Sequence, residues 1–162
     1  MFRLVYASES NIALGESGVD LEVGRILTKS KRNNPKRNIG GVLYYGDGHF
    51  FQVLEGDEAE VKGLYQTIAQ DVRHQNPRVL LTEQIDEAMF GDWSMHLVPA
   101  RSQIRQLMLT HGFEYFKPFE FSNELIQQLM VLLSKNGEIK NEQPGSKGFF
   151  NTLKRLISRS AA

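Results

Sequence analysis

Gly40-Gly41-Val42-Leu43-Tyr44-Tyr45-Gly46-Asp47-Gly48-His49-Phe50-Phe51-Gln52-Val53-Leu54-Glu55-Gly56 is the stretch on which the fold turns. Gly41 to Tyr45 and His49 to Glu55 are rich in β-branched and aromatic residues, and Gly46-Asp47-Gly48 between them is a hairpin turn signal. Upstream, Phe2 to Ala7 reads as a first strand and the polar, glycine-bearing Ser8 to Gly18 as a loop. Val19, Val23, Ile26 and Leu27 then recur at the spacing of an amphipathic helix. Asn33-Asn34-Pro35 stops that helix near Lys31, because proline disfavours helical geometry in the residue before it. Downstream of the hairpin, Asp57 followed by Glu60 is a capping-box start. Val61, Leu64, Tyr65, Ile68 and Val72 continue it as a second amphipathic helix, Pro77 to Ile85 reads as a fourth strand, and Trp93 to Val98 as a short fifth. The order is β-α-β-β-α-β-β, an α+β pattern. Its first six elements are the split βαβ arrangement of a ferredoxin-like two-layer sandwich, with both helices on one face of the sheet. That scaffold hosts many functions and decides none.

Beyond residue 100 the pattern turns helical. Ile104, Leu107 and Met108 mark a short helix, and Leu125, Ile126, Leu129, Met130 and Leu133 a stronger one after Pro118. Neither is long enough to stand alone in water, so both are expected to cover the free face of the sheet or a second subunit. The expected organisation is a first domain over residues 1–100, C-terminal helices over 101–134, and a linker with an amphipathic tail over 135–162. From Lys140 that tail carries Lys140, Lys147, Lys154, Arg155 and Arg159 against the single acidic Glu142, a net of +4. It reads as a solvated or bundle-packing helix, as a partner-docking helix, or as a membrane-surface or nucleic-acid contact.

Composition narrows the chemistry. The 162 residues are enough to bury a sizeable core, and 19 basic against 19 acidic side chains leave no net field that would attract nucleic acid or a membrane. The chain has no cysteine. Disulfides, thiolate metal sites and a cysteine nucleophile are therefore excluded. His49, His96 and His111 show no metal-ligand spacing. The N-terminus turns polar too soon for a signal peptide, and no apolar run approaches the roughly 20 residues that span a bilayer. The cytoplasm is the expected location.

The informative positions are polar residues among apolar ones. The two-residue period puts Phe2, Leu4, Tyr6 and Ser8 on one face of the first strand, and Phe50, Gln52 and Leu54 on one face of the third. In a split βαβ sheet these strands are adjacent and central, so Tyr6 and Gln52 are neighbours facing the helices. A buried phenol and a buried amide both need partners. They satisfy each other and nearby backbone, or together they serve the heteroatom edge of an aromatic ring system. Asn34 is a helix-terminating residue or a further ligand of such a ring.

Six segments, in order, carry a resemblance: Leu4-Val5-Tyr6-Ala7-Ser8; Asn33-Asn34-Pro35; Gly40 to Tyr45; Phe50 to Gly56; Asp71-Val72-Arg73-His74; and Trp93-Ser94-Met95. Over residues 2 to 98 the chain resembles the BLUF family, sensors of blue light using FAD. The resemblance implies a non-covalent FAD, with FMN or riboflavin as substitutes, held between the two helices. Tyr6 is then the electron and proton donor. Gln52 lies between Tyr6 and the flavin N5 and C4 carbonyl, and Asn34 binds the C4 carbonyl and N3 side. Asn33 and Ser30 neighbour the ring, and Ile26 and Leu54 wall its faces. Asp71, Arg73 and His74 line the ribityl and phosphate side, although His74 alone also reads as a solvated loop histidine. Trp93 and Met95 relay the signal from the fifth strand. Light switches the hydrogen bonds around Gln52 and leaves no chemical product, so the chain is not expected to be an enzyme. No cyclase, phosphodiesterase or helix-turn-helix domain fits in the remaining residues. The expected output is a separate downstream signalling or regulatory protein, with the C-terminal helices forming that surface or the contact of a homo-oligomer. The rival readings are a light-insensitive ferredoxin-like binding module and a flavin enzyme. Against the enzyme, the chain lacks a nicotinamide-binding glycine fingerprint and an acid/base pair near the ring.

Overall fold

The structure is a computed structural model. It describes residues 1–12, 18–91, 94–97 and 101–136, with the backbone alone at 18–21, 94–97 and 101. The chain runs β1 (Phe2–Ser10), α1 (Gly18–Asn33), a 3-10 turn (Pro35–Arg37), β2 (Gly40–Gly46), β3 (His49–Gly56), α2 (Glu58–Ala69), β4 (His74–Gln84), β5 (Ser94–Leu97), α3 (Arg101–Thr110), a 3-10 turn (Pro118–Glu120) and α4 (Asn123–Lys135). The sheet order is β4-β1-β3-β2-β5. Neighbours in β4-β1-β3-β2 are antiparallel, and β5 joins β2 in parallel. This is the ferredoxin-like α+β arrangement, with β1 and β3 at its centre.

The hairpin forms as the turn residues require. Asp47 and Gly48 both have positive φ, 46° and 75°. That is the primed-turn backbone whose twist matches the flanking strands. The Asp57 side chain accepts from the Ala59 and Glu60 N–H groups at 3.0 and 3.2 Å and starts α2. Glu60 does not complete a capping box with Asp57. Its carboxylate is taken by Arg37.

Both faces of the sheet are covered. Leu4, Tyr6, Leu43, Phe50 and Leu54 meet Val23, Ile26 and Leu27 of α1 and Val61 of α2. On the other face Val5, Val42, Tyr44, Phe51 and Val53 meet Ile104, Met108, Leu125, Ile126, Leu129 and Leu133 of α3 and α4. Of the two positions open to the C-terminal helices, they take the free face of the sheet. A strand buried on both sides is apolar almost throughout rather than alternating. This is why β1 and β3 read so strongly as strands.

Several boundaries differ from the sequence reading. β1 runs to Ser10, because Glu9 and Ser10 pair with Gln75 and His74 of β4, and Glu9 also pairs with His49 of β3. The same pairing starts β4 at His74 rather than Pro77. α1 continues to Asn33, and α2 stops at Ala69, which leaves Val72 at 82% exposure instead of on a helical apolar face. Trp93, Val98 and the tail from residue 137, with Lys140, Glu142, Lys147, Lys154, Arg155 and Arg159, lie outside the described residues.

Gly40 begins β2 under the backbone of the segment that leads into β5. A Cβ built there falls 2.3 Å from the Phe90 carbonyl oxygen and 3.2 Å from that of Gly91. Backbone cannot step aside as a flexible side chain can. Gly40→Ala is therefore expected to lower stability by about 1–3 kcal/mol, the usual cost of overpacking. A urea titration checks this; an unchanged midpoint would contradict the close approach.

Candidate functional site

The site is built from the centre of the sheet outwards. Tyr6 and Gln52 are direct cross-strand partners on β1 and β3. Their side chains point to the same face, and the Tyr6 hydroxyl donates to Gln52 Oε1. Tyr6 is fully buried and Gln52 nearly so. Burial pushes the Tyr6 pKa up, and the neighbouring Tyr65 and Asp71 push it in the same direction. Tyr6 is therefore a neutral phenol whose one proton is committed to the glutamine.

Two rings hold the phenol from behind. Tyr65 of α2 lies 5.2 Å from the Tyr6 ring, centroid to centroid, and His74 lies 6.3 Å from it, edge-on. His74 also stacks obliquely on Phe50 at 4.6 Å, and its Nδ1 pairs with the Ser8 hydroxyl at 2.7 Å. The solvated-loop reading of His74 is thereby corrected. The residue opens β4 and is buried, because the extended β1–β4 pairing carries it under the helices.

Asp71 and Arg73 occupy the turn between α2 and β4. Arg73 binds Asp71 through Nε at 2.8 Å and Nη2 at 2.5 Å, and its Nη1 lies 3.5 Å from Glu22 of α1. The Arg73 hydrogen bonds hold the Asp71 carboxyl down, to about 2. Asp71 and Glu22 raise the Arg73 pKa, chiefly through the Asp71 bond. A guanidinium thus bridges the turn to α1 at the edge of the site.

At the C-terminal end of α1, Asn34 is buried, and its backbone N–H donates to the Ser30 carbonyl at 2.8 Å. Its carbonyl accepts from Arg37 and Ile39, both at 3.0 Å. Its side-chain Nδ2 is buried with no hydrogen-bond partner among the described residues. An unmet buried donor costs about 1–3 kcal/mol, so such a group implies an acceptor still to come. Ile26 and Leu54 belong to the apolar cluster that surrounds Tyr6. Ser30 and Asn33 are half-exposed, and Asn33 accepts only a long 3.5 Å contact from Arg32. Met95 lies on β5, where the backbone alone is described. Apolar walls, an amide donor without an acceptor and a phenol–amide pair fit a planar aromatic ring with a carbonyl edge.

A family model described as sensors of blue-light using FAD matches residues 1–96. The chain belongs to the BLUF family. It is 33% identical over 93 residues to the blue light- and temperature-regulated antirepressor BluF of Escherichia coli (strain K12), a match covering 57% of this chain and 23% of that protein. To the photoactivated adenylate cyclase subunit beta of Euglena gracilis it is 34% identical over 94 residues, 57% of this chain and 11% of the other. The chain therefore spans less than a quarter of the length of these curated relatives. Among solved structures, BlsA in its photo-activated state matches with a TM-score of 0.77 at 34% identity, covering 90% of this chain and 99% of that one. The dark-state structure of the BLUF protein BlrB matches at 0.69 and 27% identity, covering 83% and 95%. Among the described residues no helix is long and apolar enough to cross a membrane.

The sequence did not single out Tyr65, Ser8 or Glu22 as parts of the site. Tyr65 sits at an apolar-face position of α2 like any core residue. Ser8 shares the Tyr6 face by the two-residue period, the one signal that could have placed it beside His74.

Burial lowers the His74 pKa from 6.5 to about 4, against a smaller upward pull from Asp71. Between those values the unfolded chain binds a proton that the folded chain does not, so stability falls as the pH drops through this window. The full effect is on the order of 3 kcal/mol, reached near pH 4. Below about pH 4 the lowered Asp71 pKa adds a further loss in the same direction. Urea midpoints from pH 7 to 4 are expected to decline in the wild type and to flatten in His74→Gln; equal slopes would count against a buried neutral imidazole.

Proposed function

We propose that the chain is a blue-light photoreceptor in which Tyr6 and Gln52 form the light-operated switch around a bound FAD, and that it signals to a separate regulatory protein. The observation that carries this is the buried hydrogen bond from the Tyr6 hydroxyl to Gln52 Oε1. When bound, the flavin supplies absorption of blue light and a strongly oxidising excited state.

Tyr6 gives up an electron from a position closed to bulk solvent. A phenol that loses an electron becomes a strong acid, and the base already in contact is Gln52 Oε1. The proton therefore passes along the existing hydrogen bond. Gln52, protonated on its carbonyl oxygen, no longer accepts from Tyr6 as before, and it rotates or tautomerises. When the electron returns, the proton returns to the Tyr6 oxygen, and the amide is left in its new arrangement. Nothing is consumed, and the stored signal is a changed hydrogen-bond pattern. Asn34 holds the carbonyl edge of the ring through the Nδ2 donor, as a reference that does not move. Ile26 and Leu54 exclude water from the ring faces. Ser30 and Asn33 border its edge, and Arg73, set by Asp71 and flanked by His74, faces the ribityl and phosphate side. Met95, with Trp93, takes the change to the C-terminal helices over 101–134.

The likeness to an antirepressor supports output through a partner. A homo-oligomer formed on the C-terminal helices is compatible with the same surface. For the tail over 135–162, docking to a partner, packing in a bundle, and contact with a membrane surface or nucleic acid are separated by liposome and DNA binding with and without it. Action in the cytoplasm follows from this role.

Absorption spectra before and after blue light test the reading. The wild type is expected to be yellow, to shift slightly red on illumination and to recover in the dark. Tyr6→Phe is expected to keep the flavin and lose the shift, and Gln52→Leu to do the same. A normal shift in Tyr6→Phe would remove Tyr6 from the mechanism. A colourless protein that takes up no added FAD, FMN or riboflavin would leave a ferredoxin-like binding module. Asn34→Ala deletes one donor to the ring, and flavin affinity is expected to fall about tenfold, equivalent to about 1.4 kcal/mol. Fluorescence titration measures it, and an unchanged affinity would leave the buried Nδ2 without this role.

A further inference from the structure

On the face of the sheet turned away from Tyr6 lies a buried charged pair to which the site chemistry assigns no task. Arg3 and Glu55 are cross-strand partners on β1 and β3, only 6% and 1% exposed. Arg3 Nε and Nη2 each reach Glu55 Oε1 at 2.7 Å, and Nη1 reaches Glu83 Oε1 on β4 at 2.6 Å. The second Glu55 oxygen, Oε2, accepts from the Phe90 backbone N–H at 2.8 Å. Glu83 in turn faces Gln127 of α4, whose Nε2 lies 3.4 and 3.5 Å from its two oxygens. Charge buried in this way seldom adds stability beyond what apolar residues of the same volume would give. Its specific property is direction, since one carboxylate joins a strand, a guanidinium and a loop N–H.

The loop end of this chain sets the position of β5. Phe90 is fully buried, with its N–H on Glu55 and its carbonyl oxygen against Gly40, where no Cβ fits. Gly40 and Glu55 are themselves register partners. Ser94 follows shortly after Phe90 and pairs with Gly41 at the start of the parallel β2–β5 ladder. Anchoring Phe90 therefore fixes where β5 begins. Glu55 also stands on the strand that carries Gln52, with its side chain on the opposite face.

We propose that Glu55 is a positioning residue of the light response: through Phe90 it holds β5 in register on β2, and through Arg3, Glu83 and Gln127 it links movement of β3 at Gln52 to α4. This rests on the photoreceptor reading above. The ion pair carries the change from the strand that bears Gln52, whose side chain lies under α1 and α2, to the side of α3 and α4.

The test uses the full-length FAD-bound protein, with absorption and amide hydrogen exchange recorded in darkness and under blue light. In the wild type, illumination is expected to produce the red shift and a change of exchange in β5 and over Leu129–Leu133 of α4. Glu55→Gln keeps the shape and one acceptor oxygen but cannot hold both Arg3 and Phe90 as before. It is expected to keep the red shift and lose the exchange response in both elements. Glu83→Gln leaves the Phe90 contact alone; it is expected to keep the β5 response and lose that of α4. A purely structural Glu55 would lower the urea midpoint and leave the light-driven differences intact, which overturns the proposal. If Glu55→Gln does not fold, Glu83→Gln decides, and retention of the α4 response overturns the link. A wild type with a red shift and no response in α4 sinks this inference and spares the photoreceptor. A wild type with no red shift sinks both.

Discussion

Water is kept from both faces of one sheet, and every polar side chain at its centre must find its partner inside the protein. α1 and α2 cover one face and α3 and α4 the other. A buried donor or acceptor left unmet costs more than a typical hydrogen bond contributes, so the pairing inside the sheet is specific. Tyr6 meets Gln52, Ser8 meets His74, and Arg3 meets Glu55. The Asn34 Nδ2 is the buried side-chain atom among the described residues for which no such solution exists. A ligand with a carbonyl edge would complete the set, and the FAD named in the family's description has one.

The same exclusion of water would make the proposed chemistry reversible. In water, a phenol that loses an electron releases its proton to solvent, and the pair is lost. Tyr6 has one acceptor, on a side chain fixed by the β1–β3 register. Burial keeps the phenol neutral, with its proton on oxygen. The neutral His74 ring and the half-buried Tyr65 wall the phenol without putting a charge against it. Asp71 is the nearby charge, and Arg73 neutralises it at hydrogen-bonding distance.

The hairpin, the split βαβ order and the Tyr6–Gln52 contact were legible in the sequence, because strand period and strand order together fix cross-strand neighbours. The helical pattern after residue 100 was legible as well, and the free face of the sheet was among the places it could go. What the sequence hid has one origin. Arg3 and Glu55 sit at positions that alternation assigns to a solvated face, and only the covering by α3 and α4 makes them buried. His74 follows the turn segment Asp71-Val72-Arg73, and its burial depends on His74 and Gln75 pairing with Ser10 and Glu9 at the end of β1. Long-range pairing of that kind leaves no mark in a local window. Asn34 reads as an ordinary helix-ending residue for the same reason, since an unmet donor exists only in three dimensions.

β3 is tethered near each end by a hydrogen bond from a backbone N–H outside the sheet. In the turn before it, Asp47 Oδ2 accepts from the Phe116 N–H at 2.7 Å. At its far end Glu55 accepts from the Phe90 N–H. Between these anchors Gln52 faces the opposite side, against Tyr6. A strand tethered in this way cannot tilt or slide without moving at least one of two contacts. A packed sheet has no slack to absorb such a shift, because its interior is as dense as a crystal. The architecture thus separates two sets of buried polar contacts by face: Tyr6 and Gln52 under the helices α1 and α2, and Arg3 and Glu55 on the side of α3 and α4.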